Sequence, residues 1–481
     1  MLNRKLLEVL SHLTTSERKR LRLFLTSPYF NNGSHAADIV HLYDLIIRHD
    51  ANEEHPALSK ESVFRMFFPD KQFREKTKGP LDALTSELFR LVRGFLSQTD
   101  LERENGELHQ HLSLARFYRK FAYEERFWQT MQTMRNIQLD TPLRDARYFY
   151  DQFRVEEEEL SFRGLYNSFE DDVNLNEVHK NLDIYYSILK LEFTCILEHQ
   201  RHGAQLDKYP PTPLLKAVLQ LSEEGAPLDT PVNRIYRLAL KLIQSPETEE
   251  SLETLEYMLR QYEPLISIEK FKDLRTFHRF LWGQRYLKSG DNFSLHQTFG
   301  IYREHLAKGY FYFDGLIPHS AFRNLVMSAL ILGEFAWAKN FLDTHPPERI
   351  GSTRYPVEIH SLNLAEYYFY LKNYDEAQDK LVYRHFENPI FSILADVLLV
   401  KIYYETKNEL LDSRMKALDQ KIRRSKLSRE VKNRYYNFLK KLDKIIKYGW
   451  QTKNPKRARL IEEIKTSSEI IAREWLLEKL A

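Results

Sequence analysis

The sequence has few of the residues that interrupt regular structure. Glycine and proline together account for 33 of 481 residues, little more than half of their usual share of roughly 12%. Because these residues break helices, their scarcity together with many Leu, Glu, Lys and Arg predicts long helices. A hydrophobic fraction of 43% excludes a wholly disordered chain.

Cysteine and long apolar runs are also scarce. Cys195 is the one cysteine, which excludes an intramolecular disulfide and predicts a reducing compartment. The N-terminal segment carries charges throughout, and this pattern predicts no signal peptide. The most apolar stretch, Phe391 to Tyr404, is interrupted by Asp396 and Lys401 and is shorter than the roughly 20 residues that a bilayer requires. We therefore expect a cytoplasmic protein that makes no membrane contact.

The common catalytic motifs are missing as well. The sequence contains no GxGxxG, no Gly-Lys-Ser/Thr, no GxSxG, no HExxH and no paired cysteines. We therefore predict a non-enzymatic protein without a cofactor, and we nominate no catalytic residue. An active site without a motif would escape this search, and its sign would be a pocket of carboxylates or histidines with shifted pKa. The acidic run Glu156 to Glu159 is interpreted as a solvated helix face.

One cluster has the spacing of metal ligands. Cys195, His199 and His202 fall on one face of a helix and could converge on zinc. No second segment supplies an obvious fourth ligand. The alternative is a buried cysteine followed by two polar histidines at a helix end, and we predict no metal site.

Helical periodicity dominates the chain. Thr14 and Glu17 form a capping-box pattern that starts a helix, and Ser27-Pro28 ends it. Apolar residues from Leu81 to Phe95 recur at near-ideal helical spacing. The breaker-rich stretch from Gly203 to Pro213 is the strongest candidate boundary.

From these signals we predict three regions. Residues 1–100 form an N-terminal helical cap domain, residues 101–205 form long paired helices, and residues 212–481 form helical repeats with a basic C-terminal segment. Whether residues 1–205 are one domain or two stays open.

A repeat with an offset of 39 residues lies in the C-terminal half. The paired positions are Leu325 with Leu364, Val326 with Ala365, Phe335 with Tyr374, Ala338 with Ala377, and Leu342 with Leu381. Each copy predicts a helix, a short turn, and an aromatic followed by a small residue on a second helix. Further turns are predicted at Gly290 and near Lys407-Asn408.

The second copy resembles the tetratricopeptide repeat. Its characteristic positions are occupied by Tyr368, Tyr374, Ala377 and Pro389. The chain also resembles a family of uncharacterised bacterial helical-repeat proteins of about this length, including the SPYFN and FFPDKQF segments. The resemblance implies an all-α fold, an irregular TPR-like α-solenoid behind an N-terminal helical domain, and it implies no established activity.

Charge is unevenly distributed along the chain. From Lys421 to Arg459 we count fifteen Lys and Arg against two acidic residues, so this segment has a charge of +13. The net charge of the whole chain is +3, and the other residues therefore sum to −10. Such a surface could bind nucleic acid through phosphate contacts, with interleaved aromatics stacking on bases. The candidate contacts are Arg423, Arg424, Lys426, Arg434, Lys440, Lys441 and Lys444.

The same segment has a structural interpretation. Tyr435, Phe438, Leu442 and Ile445 follow helical spacing and could form a core stripe. The lysines would then form the solvated face, or pair with acidic residues elsewhere or on a partner. An apolar stripe from Leu460 to Leu480 predicts one last helix that caps the array.

The leading hypothesis is a scaffold that binds a protein or peptide on the concave face of a solenoid, with Tyr367 and Tyr403 as contacts. The alternatives are a nucleic-acid-binding protein that uses residues 421–459, and an enzyme without a known motif. The oligomeric state and the identity of the partner are not predicted.

Overall fold

The structure is a computed structural model. It describes residues 2–74, 79–103, 106–165, 174–201, 212–225, 227–245, 249–313, 315–351, 353–382, 386–448, 455–467 and 470–480. Within these ranges the chain forms 23 α-helices, and its only named strands are two residues long each. The predicted all-α class is therefore confirmed.

The chain divides into two compact units. Residues 1–141 and 152–178 form unit 1, and residues 142–151 and 179–481 form unit 2. The predicted boundary at Gly203–Pro213 lies almost wholly outside the described residues. The first eight helices are α1 (Arg4–His12), α2 (Thr15–Thr26), α3 (Ala36–Arg48), α4 (Lys60–Phe67), α5 (Pro80–Arg103), α6 (Gly106–Lys120), α7 (Glu124–Asp140) and α8 (Ala146–Leu165).

Local signals set the first helices of unit 1. The capping box is confirmed, because the Glu17 amide donates to Thr14 Oγ1 at 3.2 Å and the Thr14 amide donates to Glu17 Oε2 at 3.0 Å. Helix α2 ends at Thr26, before Ser27-Pro28. The periodic apolar residues of α5, from Leu81 to Phe95, are buried in a core shared with α1 to α4.

The interpretation of Glu156 to Glu159 as a solvated face is wrong for three of its four residues. Glu156, Glu158 and Glu159 are 9%, 5% and 3% exposed. Arginines from neighbouring helices neutralise these carboxylates: Arg119 Nε lies 2.5 Å from Glu158 Oε1, and Arg135 of α7 contacts both Glu156 and Glu159. Burial of this acidic run is tolerated because each buried carboxylate has a cationic partner.

The remaining helices run to the C-terminal end. They are α9 (Leu175–Arg201), α10 (Leu215–Glu224), α11 (Pro231–Gln244), α12 (Glu249–Tyr262), α13 (Ile268–Ser289), α14 (Asn292–Ala307), α15 (His319–Ile331), α16 (Phe335–Thr344), α17 (Pro356–Tyr370), α18 (Tyr374–Val382), α19 (Pro389–Glu405), α20 (Leu411–Arg424), α21 (Arg429–Tyr448), α22 (Pro455–Thr466) and α23 (Arg473–Glu478). Two short strands, β1 (Ile317–Pro318) and β2 (Ile350–Gly351), pair in parallel.

Unit 2 contains helix–turn–helix hairpins that follow one another along the chain. The pairs α13–α14, α15–α16, α17–α18 and α19–α20 each pack together, and α15, α17 and α19 pack in succession. The small residues predicted at the hairpin contacts, Ala338 and Ala377, are fully buried. A side chain larger than alanine at these positions would separate the two helices.

The turns between paired helices share one backbone conformation. Gly290, Gly333, Lys372 and Lys407 have φ values of 71°, 77°, 59° and 50°, in the left-handed region. After Lys372, the Asn373 amide donates to the carbonyl five residues earlier at 2.9 Å, and the equivalent bond follows Gly333 and Lys407. The repeat pattern predicted a turn in each of these four hairpins.

The predicted single helix at the C-terminal end is two helices. α22 ends at Thr466 and α23 begins at Arg473, after Ala472 with a left-handed φ of 51° that a continuous helix excludes. The apolar stripe is nevertheless buried, with Leu460, Ile464 and Leu476 at 4% exposure or less.

Within the described ranges, no helix is both long and apolar enough to cross a membrane.

Candidate functional site

The two tyrosines predicted to contact a partner have different environments. Tyr403 is 5% exposed and is part of the main core of unit 2, with the guanidinium of Arg414 5.7 Å from its ring centre. Tyr367 is half-buried, with its ring 5.5 Å from that of Tyr368. Burial therefore makes Tyr403 a core residue, and of the two only Tyr367 has surface to offer a partner.

Two aromatics of the basic segment are core residues. On α21, Tyr435 and Phe438 are 8% and 0% exposed, and Leu442 and Ile445 are buried beside them. This arrangement matches the structural interpretation of a core stripe. Buried rings cannot stack on bases, so the described aromatics of α21 add little to a nucleic-acid surface. Trp450 lies outside the described residues.

Several of the predicted nucleic-acid contacts have acidic partners within the chain. Lys441 Nζ and Lys444 Nζ lie 2.5 Å and 3.2 Å from Glu463 Oε2 of α22, and Arg423 Nε lies 2.8 Å from Asp419 Oδ2. The hydrogen bonds from Lys441 and Lys444 hold the pKa of Glu463 down at about 2. Part of the positive charge of the segment is thus neutralised internally.

The cations Arg424 and Lys426 line a groove. This groove has a volume of about 980 Å³, and α19 and α20 supply most of its walls. Its apolar lining residues include Phe386, Ile390 and Leu427, and Ile390 is 46% exposed. We call this feature the basic groove; it is lined by Phe386 to Ile390, Ser392, Ile393, Ala417, Gln420, Lys421 and Arg424 to Leu427.

The third cation of the basic groove, Lys421, is fixed by α19. Asp396 is 6% exposed; its carboxylate contacts Lys421 Nζ and lies 3.3 Å from Arg414 Nη1. Lys421 also donates to Ser392 Oγ at 2.9 Å. A buried carboxylate needs such partners, so Lys421 holds α19 and α20 together. Arg424 and Lys426 are both exposed and available for a ligand.

A second concave feature lies between α15, α17, α19 and α23. Its volume is about 410 Å³, and charged and aromatic side chains share its walls. We call it the lysine cavity; its lining includes Arg323, Met327, Glu366, Phe369, Tyr370, Tyr374, Lys401, Glu405, Ile471, Trp475 and Glu478.

Lys401 is the most unusual group of the lysine cavity. It is 7% exposed, and its Nζ lies 4.1 Å from the ring centre of Phe369 and about 6 Å from those of Tyr370 and Trp475. These rings stabilise the ammonium by cation–π attraction. Burial nevertheless lowers the pKa of Lys401, although the nearby carboxylates of Glu366 and Glu405 act in the opposite direction.

Two further polar groups of the lysine cavity are incompletely paired. Glu366 is 7% exposed, and its Oε1 lies 3.7 Å from Arg323 Nη2, beyond hydrogen-bond distance. Glu366 Oε2 and Arg323 Nη1 are buried and make no hydrogen bond with any described residue. Burial raises the pKa of the neighbouring Tyr370 hydroxyl, and the charge of Glu366 raises it further.

The C-terminal helix α23 forms one wall of the lysine cavity. Trp475 Nε1 donates to Glu405 Oε1 at 2.7 Å, and Lys479 Nζ lies 2.5 Å from the same oxygen. Glu405 therefore has two partners, in contrast to Glu366. These bonds fix the indole over the cavity, where it also approaches Lys401.

Lys401, Glu366 and Arg323 were not among the predicted site residues. A signal was present, because Asp396 and Lys401 are the two charges in an otherwise apolar stretch. The two charges differ in their bonding. Asp396 has ionic partners, whereas Lys401 makes no hydrogen bond or ion pair with the described residues.

The metal-ligand pattern is not assembled in the described residues. Cys195 is fully buried, and its thiol donates to the Tyr236 carbonyl at 3.4 Å. Burial raises the pKa of this thiol well above its usual range. His199 packs against Phe280, and His202 lies outside the described residues. No group of three or more His, Cys, Asp or Glu with metal-binding geometry occurs within the described ranges.

The chain was compared with known proteins. It matches no protein-family model, no curated protein sequence and no solved structure. The resemblance to tetratricopeptide repeats therefore stays a prediction, and any functional argument depends on the two sites themselves.

Proposed function

We propose that this chain is a non-enzymatic scaffold protein that holds an acidic segment of a protein partner in the basic groove. In this proposal the consecutive hairpins of unit 2 form a TPR-like α-solenoid, and the protein works in the bacterial cytoplasm. One observation carries it: the lining of the basic groove combines the exposed apolar side chain of Ile390 with the exposed cations Arg424 and Lys426, against one acidic residue, Glu387.

The chemistry of the groove selects the class of partner. Exposed Ile390 and the adjoining Phe386 offer contacts to apolar side chains. Arg424 and Lys426 offer charge-assisted hydrogen bonds to carboxylates. A segment with acidic residues interspersed with leucine or phenylalanine satisfies both parts.

The observations favour a protein over a nucleic acid. A nucleic-acid interface needs exposed cations along a phosphate track, with stacking rings where the strand is single. Here Lys441 and Lys444 are occupied by Glu463, and Tyr435 and Phe438 are core residues. The apolar lining of the groove has no use in phosphate binding.

A direct binding assay tests the proposal. The probe is a fluorescein-labelled peptide that alternates glutamate with leucine, and its anisotropy is followed with the full chain at 50 and 200 mM NaCl. We expect binding that persists at the higher salt and weakens at least tenfold in Arg424→Glu/Lys426→Glu. Ile390→Ser is expected to weaken it also, because the apolar contact is lost.

The matched control is Lys440→Glu/Lys465→Glu, which reverses two exposed cations outside the groove lining. We expect this variant to keep the peptide affinity of the parent. An equal loss of peptide affinity in both double variants would refute the assignment of the groove as the binding site. Stronger binding of a single-stranded oligonucleotide, with a steep fall between the two salt concentrations, would establish the nucleic-acid alternative instead.

A further inference from the structure

The lysine cavity gathers three reactive or charged groups whose bonding is incomplete. They are the amine of Lys401, the Oε2 atom of Glu366 and the Nη1 atom of Arg323. Lys401 and Glu366 are each more than nine-tenths buried. Glu366 Oε2 and Arg323 Nη1 are buried without a hydrogen-bond partner among the described residues, and the recorded contacts of the Lys401 amine are with aromatic rings. Buried polar groups are normally satisfied, so this arrangement points to a polar ligand in the cavity.

The environment of Lys401 favours reaction as well as binding. The cation–π contacts with Phe369 and Trp475 supply no hydrogen-bond acceptor to hold a proton on the amine. The groups that face it are Glu366 and Tyr370 of α17, Glu405 of its own helix, Glu478 of α23 and Arg323 of α15. Burial outweighs these charges and lowers the pKa of Lys401, which increases the fraction of neutral amine. A neutral amine is a nucleophile toward carbonyl carbon.

We propose that Lys401 captures a small carbonyl compound that also carries a carboxylate, a 2-oxo acid, as an imine in the lysine cavity. The volume of about 410 Å³ admits a molecule of this size. Arg323 Nη1 is the group that receives the carboxylate of the ligand, since guanidinium binds carboxylate through directed hydrogen bonds.

The chemical step balances with the groups present. The ammonium of Lys401 gives a proton to Glu366 through a solvent molecule in the cavity, since the two groups form no ion pair, and the nitrogen lone pair then forms a bond to the carbonyl carbon of the ligand. The carbonyl oxygen takes up a proton from that nitrogen and becomes a hydroxyl. Glu366 then returns its proton to the hydroxyl, which leaves as water while the C=N bond forms. Ammonium and carbonyl have become iminium and water, with no oxidant or reductant consumed.

Reductive trapping tests the proposal on the full chain. Glyoxylate and sodium cyanoborohydride are added at pH 7, and proteolytic peptides are quantified by mass spectrometry over time. We expect Lys401 to be labelled at least tenfold faster than Lys407, an exposed lysine of the same chain that serves as internal reference. Labelling of Lys401 no faster than that of Lys407 would overturn the proposal.

Variants and a second aldehyde separate the roles. Lys401→Arg keeps the positive charge and is expected to abolish labelling at this position. Glu366→Gln is expected to slow the labelling of Lys401 by glyoxylate. Glyoxylate should nevertheless still compete with acetaldehyde for the cavity of this variant. Acetaldehyde lacks the carboxylate, so Arg323→Gln is expected to remove the preference for glyoxylate over acetaldehyde. A preference that survives in Arg323→Gln would contradict the assigned carboxylate site. Thermal denaturation confirms that each variant is folded, and the comparison within the parent chain needs no variant.

Discussion

Arg275→Met is predicted to destabilise unit 2 strongly. Arg275 on α13 is 2% exposed and donates to Glu256 of α12 and to Glu304 of α14. His278 Nδ1 lies 3.1 Å from the same Glu256 oxygen. One guanidinium therefore joins three successive helices, and its removal leaves two partly buried carboxylates without their main cation.

The expected cost follows from burial. Breaking a buried ion pair by removing one partner typically costs about 3–5 kcal/mol, because a buried charge is left uncompensated. For a unit of this size, that loss corresponds to a decrease in melting temperature on the order of 5 °C. The assay is differential scanning calorimetry of the full chain at pH 7, with Trp282 fluorescence as a local probe, since its indole donates to His278 at 2.9 Å.

The chain offers a matched control at the same carboxylate. Arg260 Nε lies 2.5 Å from Glu256 Oε1, but the Arg260 side chain is 72% exposed. Exposed pairs contribute at most about 1 kcal/mol, so Arg260→Met should shift the melting temperature by a degree or so at most. Equal shifts for Arg260→Met and Arg275→Met would refute the argument from burial.

The pH dependence gives a second check. Burial raises the pKa of Glu256, but the hydrogen bond from His278 and the charge of Arg275 outweigh it and leave the value at about 2. A carboxyl whose folded pKa lies below the usual 4.5 stabilises the fold above that value and loses this effect as the pH falls toward 2. The gap in melting temperature between the parent and Arg275→Met should therefore narrow below about pH 4.5. A gap that stays constant would contradict the assignment.

Two further predictions concern the hairpins, both measured as shifts in melting temperature. Lys407→Gly should stabilise the fold by about 0.5–1 kcal/mol, because glycine adopts the left-handed φ of 50° without strain. Gly333→Ala should destabilise it by a similar amount, because alanine is strained at this φ. Melting temperatures that shift in the same direction for both changes would contradict this explanation. Ala377→Leu should destabilise the fold by about 1–3 kcal/mol, because it overpacks a fully buried contact. Ala336→Leu, at an exposed position of α16, should leave the stability nearly unchanged. Equal losses of stability in both variants would show that Ala377 is not a tight contact.

The parts of the fold that depend on nearby residues were predictable. The capping box at Thr14 and Glu17 and the turns at Gly333 and Lys407 involve residues within a few positions of each other, and each was confirmed. The break at Ala472 was missed because its neighbours contain neither glycine nor proline. Apolar periodicity continues on both sides of this break, so the pattern alone resembles one helix.

The sites depend on contacts between distant segments, which a single sequence does not display. The lysine cavity needs Arg323, Lys401 and Trp475 from three separate helices. A charge within an apolar stretch signals a buried ion, but it does not say whether that ion has partners. Asp396 and the acidic run beginning at Glu156 show the difficulty, because arginines and lysines far away in the chain neutralise both.

Helix α19 lines both the basic groove and the lysine cavity. Ile390 and Ile393 face the groove, whereas Val397 and Lys401 face the cavity. With a rise of about 1.5 Å per residue, only a few helical turns separate the two ends. Almost every side chain from Ile393 to Tyr403 is buried. The helix therefore cannot slide or rotate at one end without moving at the other. A ligand that displaces α19 at the groove would therefore also move Lys401, and any coupling between the two occupants would have the same free energy in both directions.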